Sequence, residues 1–300
     1  MSPAPFADRL QTLVEARRSQ VCLGLDPDPA ALVAGSGRAA EQLGAGASPG
    51  ERAGAAVAEH CRLLIASAGH ACVAVKPQIA CFERLGAPGW VALEATVRSA
   101  REAGLLVIAD VKRGDVPVSA GAYAQAILGQ TPSPWGPVAG LGADAATVNP
   151  LLGPDSLEPW VEAALGAGAG LFALVRTSNP GAAEVLDLPA PRAPLYESLA
   201  AMVTRFAPRL AGSGGLSGMG AVVGATHPEH LGRLRELMPA SIFLLPGVGA
   251  QGGSAEKLGP AFAPGPASGL VSASRSIAAA ADPGAEAERL RARAWTAASA

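Results

Sequence analysis

LLVIADVKRGDV, residues 105–116, carries the reading of the whole chain. Its apolar half, Leu105 to Ala109, is continuous rather than alternating, which suits a strand buried on both faces of a parallel sheet. Seven runs of the same kind lie outward from it: VCLGLD (21–26), CVAVKP (72–77), ATVN (146–149), LFALVR (171–176), AVVGA (221–225), IFLLPG (242–247) and GLVSAS (269–274). Helical periods stand between them: Trp90, Leu93, Val97 and Ala100; Leu157, Trp160, Val161, Ala164 and Leu165; Leu195, Leu199, Met202, Val203 and Phe206. Strand followed by helix, repeated along the chain, predicts an α/β fold, a closed (β/α)8 TIM barrel rather than an open doubly wound sheet.

Gly, Pro and Ser cluster at 34–50, 131–142, 211–220 and 259–269. The alternation continues across all of them, so they read as loops rather than linkers. The expectation is one domain over residues 1–300, with its core at about 15–285 and flexible termini. The 259–269 segment is the candidate for a lid.

Composition narrows the partners. With 23 basic and 25 acidic residues the formal charge is -2, which offers no footprint for nucleic acid or an anionic membrane. Hydrophobic residues make up 49% of the chain and charged ones 16%, ample for a large core. Cys22, Cys61, Cys72 and Cys81 form no C-x-x-C pair and read as buried thiols of a reducing compartment. The first twenty residues lack a continuous apolar stretch, and no apolar run reaches membrane-spanning length. A cytoplasmic protein without membrane or nucleic-acid partners is expected.

In such a barrel the functional groups belong where strands end. The residues there are polar as a set: Asp26; Lys76; Asp110 and Lys112; Asn149; Arg176, Thr177 and Ser178; Thr226; Gln251; Arg275. Residues two apart on a strand share a face, so Asp110 and Lys112 are expected side by side at the barrel mouth, and Gly114 permits a turn bringing Asp115 back. Alone, this is equally a salt-bridged strand end. With Lys76 it becomes an alternating array of ammoniums and carboxylates, and such clusters mark functional sites more often than stabilising ones.

VCLGLDPDP, AVKPQIACFERLG, IADVKRGDVPVSA, TVNPLLG, LVRTSNPG, LPGVGAQGG and VSASRSI, in this order, resemble the orotidine 5′-monophosphate decarboxylases, in particular the longer bacterial subgroup. The resemblance spans about residues 15–280. It implies that Asp110 sits against the substrate carboxylate, that Lys112 protonates C6 of the pyrimidine once carbon dioxide leaves, and that Lys76 positions the array and touches the ribose. It further implies a homodimer, with Asp115 and Ser119 reaching the neighbouring site. Asp26 would accept from a ribose hydroxyl, and Thr177 or Ser178 would read the pyrimidine edge. Gln251, Arg275 and backbone N–H groups near Gly252 and Gly253, at a helix start, would hold the phosphate of a nucleotide substrate. The sequence departs from the family pattern at Val116 and Ser119, where Ile and Thr are frequent, and at Ser274 and Ser276, where Gly is usual.

No metal or cofactor motif accompanies these residues, so no cofactor is expected. His227 and His230 are interrupted by Pro228 and lack a third ligand, and His60 and His70 read as packing or surface residues. Two rival readings stand beside decarboxylation of the nucleotide. One is a magnesium-dependent sugar-phosphate decarboxylase or aldolase sharing D-x-K-x-x-D, and the other a non-catalytic barrel that binds phosphate ligands.

Overall fold

In a computed structural model, which describes residues 3–189, 193–249 and 252–299, every one of the eight apolar runs forms a strand. They are β1 (Val21–Leu25), β2 (Ala74–Pro77), β3 (Leu106–Arg113), β4 (Ala145–Val148), β5 (Gly170–Arg176), β6 (Ser217–Val223), β7 (Ser241–Pro246) and β8 (Gly269–Ala273). All neighbours pair in parallel and in sequential order, and β1 closes the ring by pairing both β2 (Gly24 opposite Lys76) and β8 (Leu23 opposite Ala273). The fold is therefore the expected (β/α)8 barrel.

Helices α1 (Phe6–Arg17), α2 (Pro49–Ala68), α3 (Ala87–Glu102), α4 (Pro117–Ile127), α5 (Pro154–Ala167), α6 (Leu195–Phe206), α7 (Glu229–Leu237) and α8 (Pro283–Ser299) surround it. Ser48 opens α2 with a capping box, its hydroxyl accepting from the Glu51 N–H while the Glu51 carboxylate accepts from the Ser48 N–H. The helical periods hold, but Trp90 and Leu165 stand 38% and 43% exposed, off the core faces assigned to them. Packed structure extends past the 15–285 core on both sides. Phe6, Leu10 and Val14 of α1 are buried in one cluster with Phe172 and Ile108 of the barrel interior, and Ala287, Leu290 and Ala294 of α8 are buried in turn. Phe6 meets Phe172 edge-on at 5.9 Å. Gly170, where β5 begins, makes room for this, since a Cβ there would lie 2.6 Å from the Phe6 ring. Helix α1 thus packs at the strand-start end, leaving the opposite end for chemistry.

Two Gly-rich stretches prove to be ordered packing rather than open loop. Strand β6 begins at Ser217, inside the 211–220 cluster, and its Gly220 lies where a Cβ would be 2.4 Å from the Ile242 carbonyl oxygen. The 259–269 segment, the candidate lid, is packed against its surroundings. It lies between β7 and β8, where three short 3-10 turns (Ala255–Lys257, Gly259–Phe262 and Pro266–Ser268) stand among the described residues and Ala261, Phe262, Ala267 and Ser268 are buried. The buried Arg235 guanidinium of α7 fixes it, donating to the carbonyls of Ala261 (2.6 Å) and Ser268 (3.1 Å) as well as Ser241 (2.7 Å) and Met238 (2.9 Å).

Cys22, Cys61 and Cys72 are buried free thiols and Cys81 is partly exposed. Burial pushes the thiols of Cys22 and Cys61 up to about 12. No helix among the described residues is long and apolar enough to cross a membrane.

Candidate functional site

A cavity of about 480 Å³ opens at the strand ends, lined by Asp26, Lys76, Asp110, Lys112, Thr177, Ser178 and Arg275 among others. Its centre is Asp110. Lys76 Nζ donates to Asp110 Oδ2 and Lys112 Nζ to Oδ1, each at 2.5 Å. Gln78 Nε2 adds a bond to Oδ2 at 3.1 Å, and Thr147 Oγ1 one to Oδ1 at 2.9 Å. Four donors fill the capacity of an ionised carboxylate. Burial pushes the Asp110 carboxyl up, but the ammoniums of Lys76 and Lys112 outweigh it and hold the group at about 2. Burial works against the charge of Lys76 too, and the carboxylates of Asp110 and Asp26 override it, raising that ammonium's pKa.

Asp110 and Lys112 do meet, though not through the regular alternation of a strand. The β3–β4 register is irregular between Ala109 and Arg113, and Lys112 has φ +46, in the left-handed region where a side chain other than glycine is strained. The bulge re-aims the lysine, as bulges beside active sites do. The Lys112 backbone N–H, turned off the ladder, donates to Thr147 Oγ1 at 2.9 Å.

Gly114 does not fold Asp115 back onto this cluster. Its own position is one of close contact, since a Cβ there would lie 2.8 Å from Asn149. Asp115 and Ser119 do not line the cavity of their own chain. The Asp115 carboxylate instead accepts from the Val116 N–H at 2.8 Å. Asn149, a candidate at the end of β4, is likewise outside the cavity and accepts from the Leu151 N–H at 3.1 Å.

Across the mouth, Arg275 opens the short helix Arg275–Ala278. It lines the cavity, and its guanidinium makes no hydrogen bond or ion pair with the described residues. Ser274 and Ser276 line the cavity beside it. The serine at 274 is accommodated by Gly24, where a Cβ would come 2.7 Å from the Ser274 Cβ. Gln251 falls outside the described residues. Gly252 and Gly253 do not supply free donors: their N–H groups bond to the carbonyls of Gly249 (2.8 Å) and Gly247 (3.0 Å), and the next element is the 3-10 turn Ala255–Lys257 rather than an α-helix.

Thr147 and Gln78 are the members that sequence reasoning missed. A Thr inside ATVN reads as ordinary strand preference. Gln78 had a usable signal, lying two residues beyond Lys76 on the same strand face. Among the described residues no group of three His, Cys, Asp or Glu side chains is arranged to hold a metal ion.

Comparison with known proteins fits this geometry. The chain is 40% identical over 275 residues to the orotidine 5′-phosphate decarboxylase of Rhodopirellula baltica, an alignment covering 91% of the chain and 87% of that protein. It is 40% identical over 278 residues to the Deinococcus radiodurans enzyme of the same name, covering 92% and 90%. Among solved structures, Leishmania donovani OMP decarboxylase superposes with a TM-score of 0.76 at 30% identity, covering 99% of this chain and 100% of that one. The family model described as orotidine 5′-phosphate decarboxylase / HUMPS matches residues 19–290, and the chain belongs to that family.

Proposed function

We propose that this protein decarboxylates orotidine 5′-monophosphate to uridine 5′-monophosphate, a step of de novo pyrimidine biosynthesis, without a cofactor. One observation carries the reading: a buried carboxylate, Asp110, held between two ammoniums at the mouth of a closed barrel. Cleavage of the bond from C6 to the carboxylate carbon leaves the electron pair on C6 as carbon dioxide departs. That centre has no adjacent carbonyl to share the charge, so a placed cation must stabilise it. Lys112, its side chain 43% exposed and bonded to Asp110, has the access and charge to do so and then to pass its proton to C6. Asp110 faces the departing carboxylate, and Lys76 orders the array and meets the ribose. Asp26 accepts from a ribose hydroxyl, Thr177 or Ser178 reads the base, and Arg275 with Gln251 grips the phosphate as a planar fork suited to phosphate oxygens.

The sugar-phosphate alternative needs a divalent cation near D-x-K-x-x-D. Both oxygens of Asp110 are already engaged by ammoniums, which repel a second cation. An ultraviolet assay of orotidine 5′-monophosphate loss tests the reading, with and without chelator. Activity indifferent to chelator and reduced about 10³-fold or more in Lys112→Ala is expected; equal rates in wild type and Lys112→Ala would refute it.

The protein acts as a cytoplasmic homodimer in this reading. The apolar side chains of Val116 and Val118, next to Asp115 in the chain, and of Leu151 and Leu152 after β4 are each more than half exposed and suit burial against a second copy. Asp115 and Ser119 then complete the neighbour's site.

A further inference from the structure

Arg176, the last residue of β5, has its guanidinium buried beneath the loop that supplies Thr177, Ser178 and Asn179 to the cavity wall. Nε and Nη2 grip the two oxygens of Asp187 at 2.8 and 3.0 Å, while Nη1 donates to the Thr177 carbonyl at 2.9 Å. One planar group therefore ties the loop's first residue to a residue beyond the short helix Ala182–Leu186. Asp187 sits at the C-terminal end of that helix, where a carboxylate is of the wrong sign for the helix dipole. Its placement is understandable only through its partner.

Other contacts also hold the loop. Thr226 Oγ1 donates to the Ser178 carbonyl at 3.3 Å, and Gly224 leaves space for the Ser178 backbone, which a Cβ would approach to 2.8 Å. The fork is the only ion pair between the 177–189 loop and the barrel among the described residues.

We propose that Arg176, through Asp187, is a positioning residue for the end of the cavity that meets the base. Two strands, β6 and β7, separate β5 from β8, which carries the Arg275 end. The fork thus sets one end of the ligand site and leaves the other untouched. This role rests on the nucleotide reading of the site. Loosening the fork lets the Thr177–Asn179 turn sample positions from which it cannot contact the base, while phosphate capture at Arg275 persists.

The test compares full-length wild type, Asp187→Asn and Asp187→Glu, with Arg176→Lys as a second break in the fork. Asp187 is partly exposed while Arg176 is buried, so melting temperatures of every variant accompany the titrations and separate loss of fold from loss of positioning. Calorimetric titration with uridine monophosphate and with ribose 5-phosphate should show affinity for the nucleotide falling about tenfold in Asp187→Asn, with ribose 5-phosphate affinity unchanged. KM for orotidine 5′-monophosphate should rise by a similar factor with kcat reduced less, and Asp187→Glu should recover part of the loss. Equal losses for both ligands, or a lower melting temperature with unchanged affinities, would overturn the proposal while leaving the decarboxylase reading intact. A wild type that neither binds uridine monophosphate nor consumes orotidine 5′-monophosphate would overturn both.

Discussion

The Lys112 backbone N–H donates to the Thr147 hydroxyl at 2.9 Å, and that hydroxyl in turn donates to Asp110 Oδ1 at 2.9 Å. One side chain from β4 thus stabilises both the strained backbone of the proposed proton donor and the carboxylate that orders it. Thr147→Val keeps the shape and removes both bonds. A hydrogen bond to a charged group contributes about 1.5–3 kcal/mol, so kcat should fall roughly 10- to 100-fold. Thr147→Ser keeps the hydroxyl and should retain most of the activity. Steady-state rates of both variants check this, and a Val variant as fast as wild type would show that Lys112 needs no such support.

Asp110 links the site to acid stability. Its carboxyl is held at about 2, against an ordinary value of 3.8. Because the folded value is the lower one, the stabilisation is fully present above pH 4 and lost as pH falls from about 4 to 2. The difference corresponds to roughly 2 kcal/mol. Asp110→Asn leaves Lys76 and Lys112 without their shared partner and should be less stable than wild type at neutral pH. The gap should shrink as pH falls through that window. Urea midpoints of both proteins from pH 7 to pH 2 measure it, and a gap independent of pH would contradict the assignment.

The barrel was legible in the chain because parallel strands buried on both faces leave continuous apolar runs that no loop imitates. Charges at the ends of those runs were legible for the same reason: Lys76, Asp110 and Lys112 interrupt apolar sequence where it should stop. What sequence could not carry was backbone geometry. Period-two reasoning placed Asp110 and Lys112 together, yet their meeting depends on a bulge and a left-handed lysine, which no residue type at 112 announces. Thr147 was invisible because its role depends on that bulge. Gly252 and Gly253 misled in the opposite sense, since their N–H groups close the loop on itself instead of facing a ligand.

Arg235 substitutes for the packing that a full helix between β7 and β8 provides in a regular barrel. It lies over the Phe243 ring at 3.8 Å and has no carboxylate partner among the described residues, and burial lowers its pKa to about 10. Its charge is solvated by carbonyl oxygens. Arg235→Met should strip the Ser241 and Ser268 carbonyls of this donor and leave Met238 and Ala261 with the Ser241 N–H and the Ser268 hydroxyl alone, destabilising the fold by about 3 kcal/mol or more. The residue is remote from the cavity lining, so kcat and KM below the unfolding transition should be unchanged. Denaturant midpoints and steady-state rates on one preparation separate the two effects. An unchanged midpoint would mean that the 3-10 segment packs without the arginine.

Asp115 offers a decisive test of shared sites, because it is outside the cavity of its own chain while Lys112 is inside it. Lys112→Ala and Asp115→Ala should each be inactive as pure proteins. In a mixed dimer, one site combines both defects and the other takes Lys112 from one chain and Asp115 from its partner, both intact. Equal mixing and reassortment should therefore restore about one quarter of wild-type activity, since half of the dimers are mixed and each carries one working site. Subunits are mixed under conditions that allow exchange, and the recovered rate is followed against the mixing ratio. If Asp115 served its own chain, every site in the mixture would carry a defect and no activity would return.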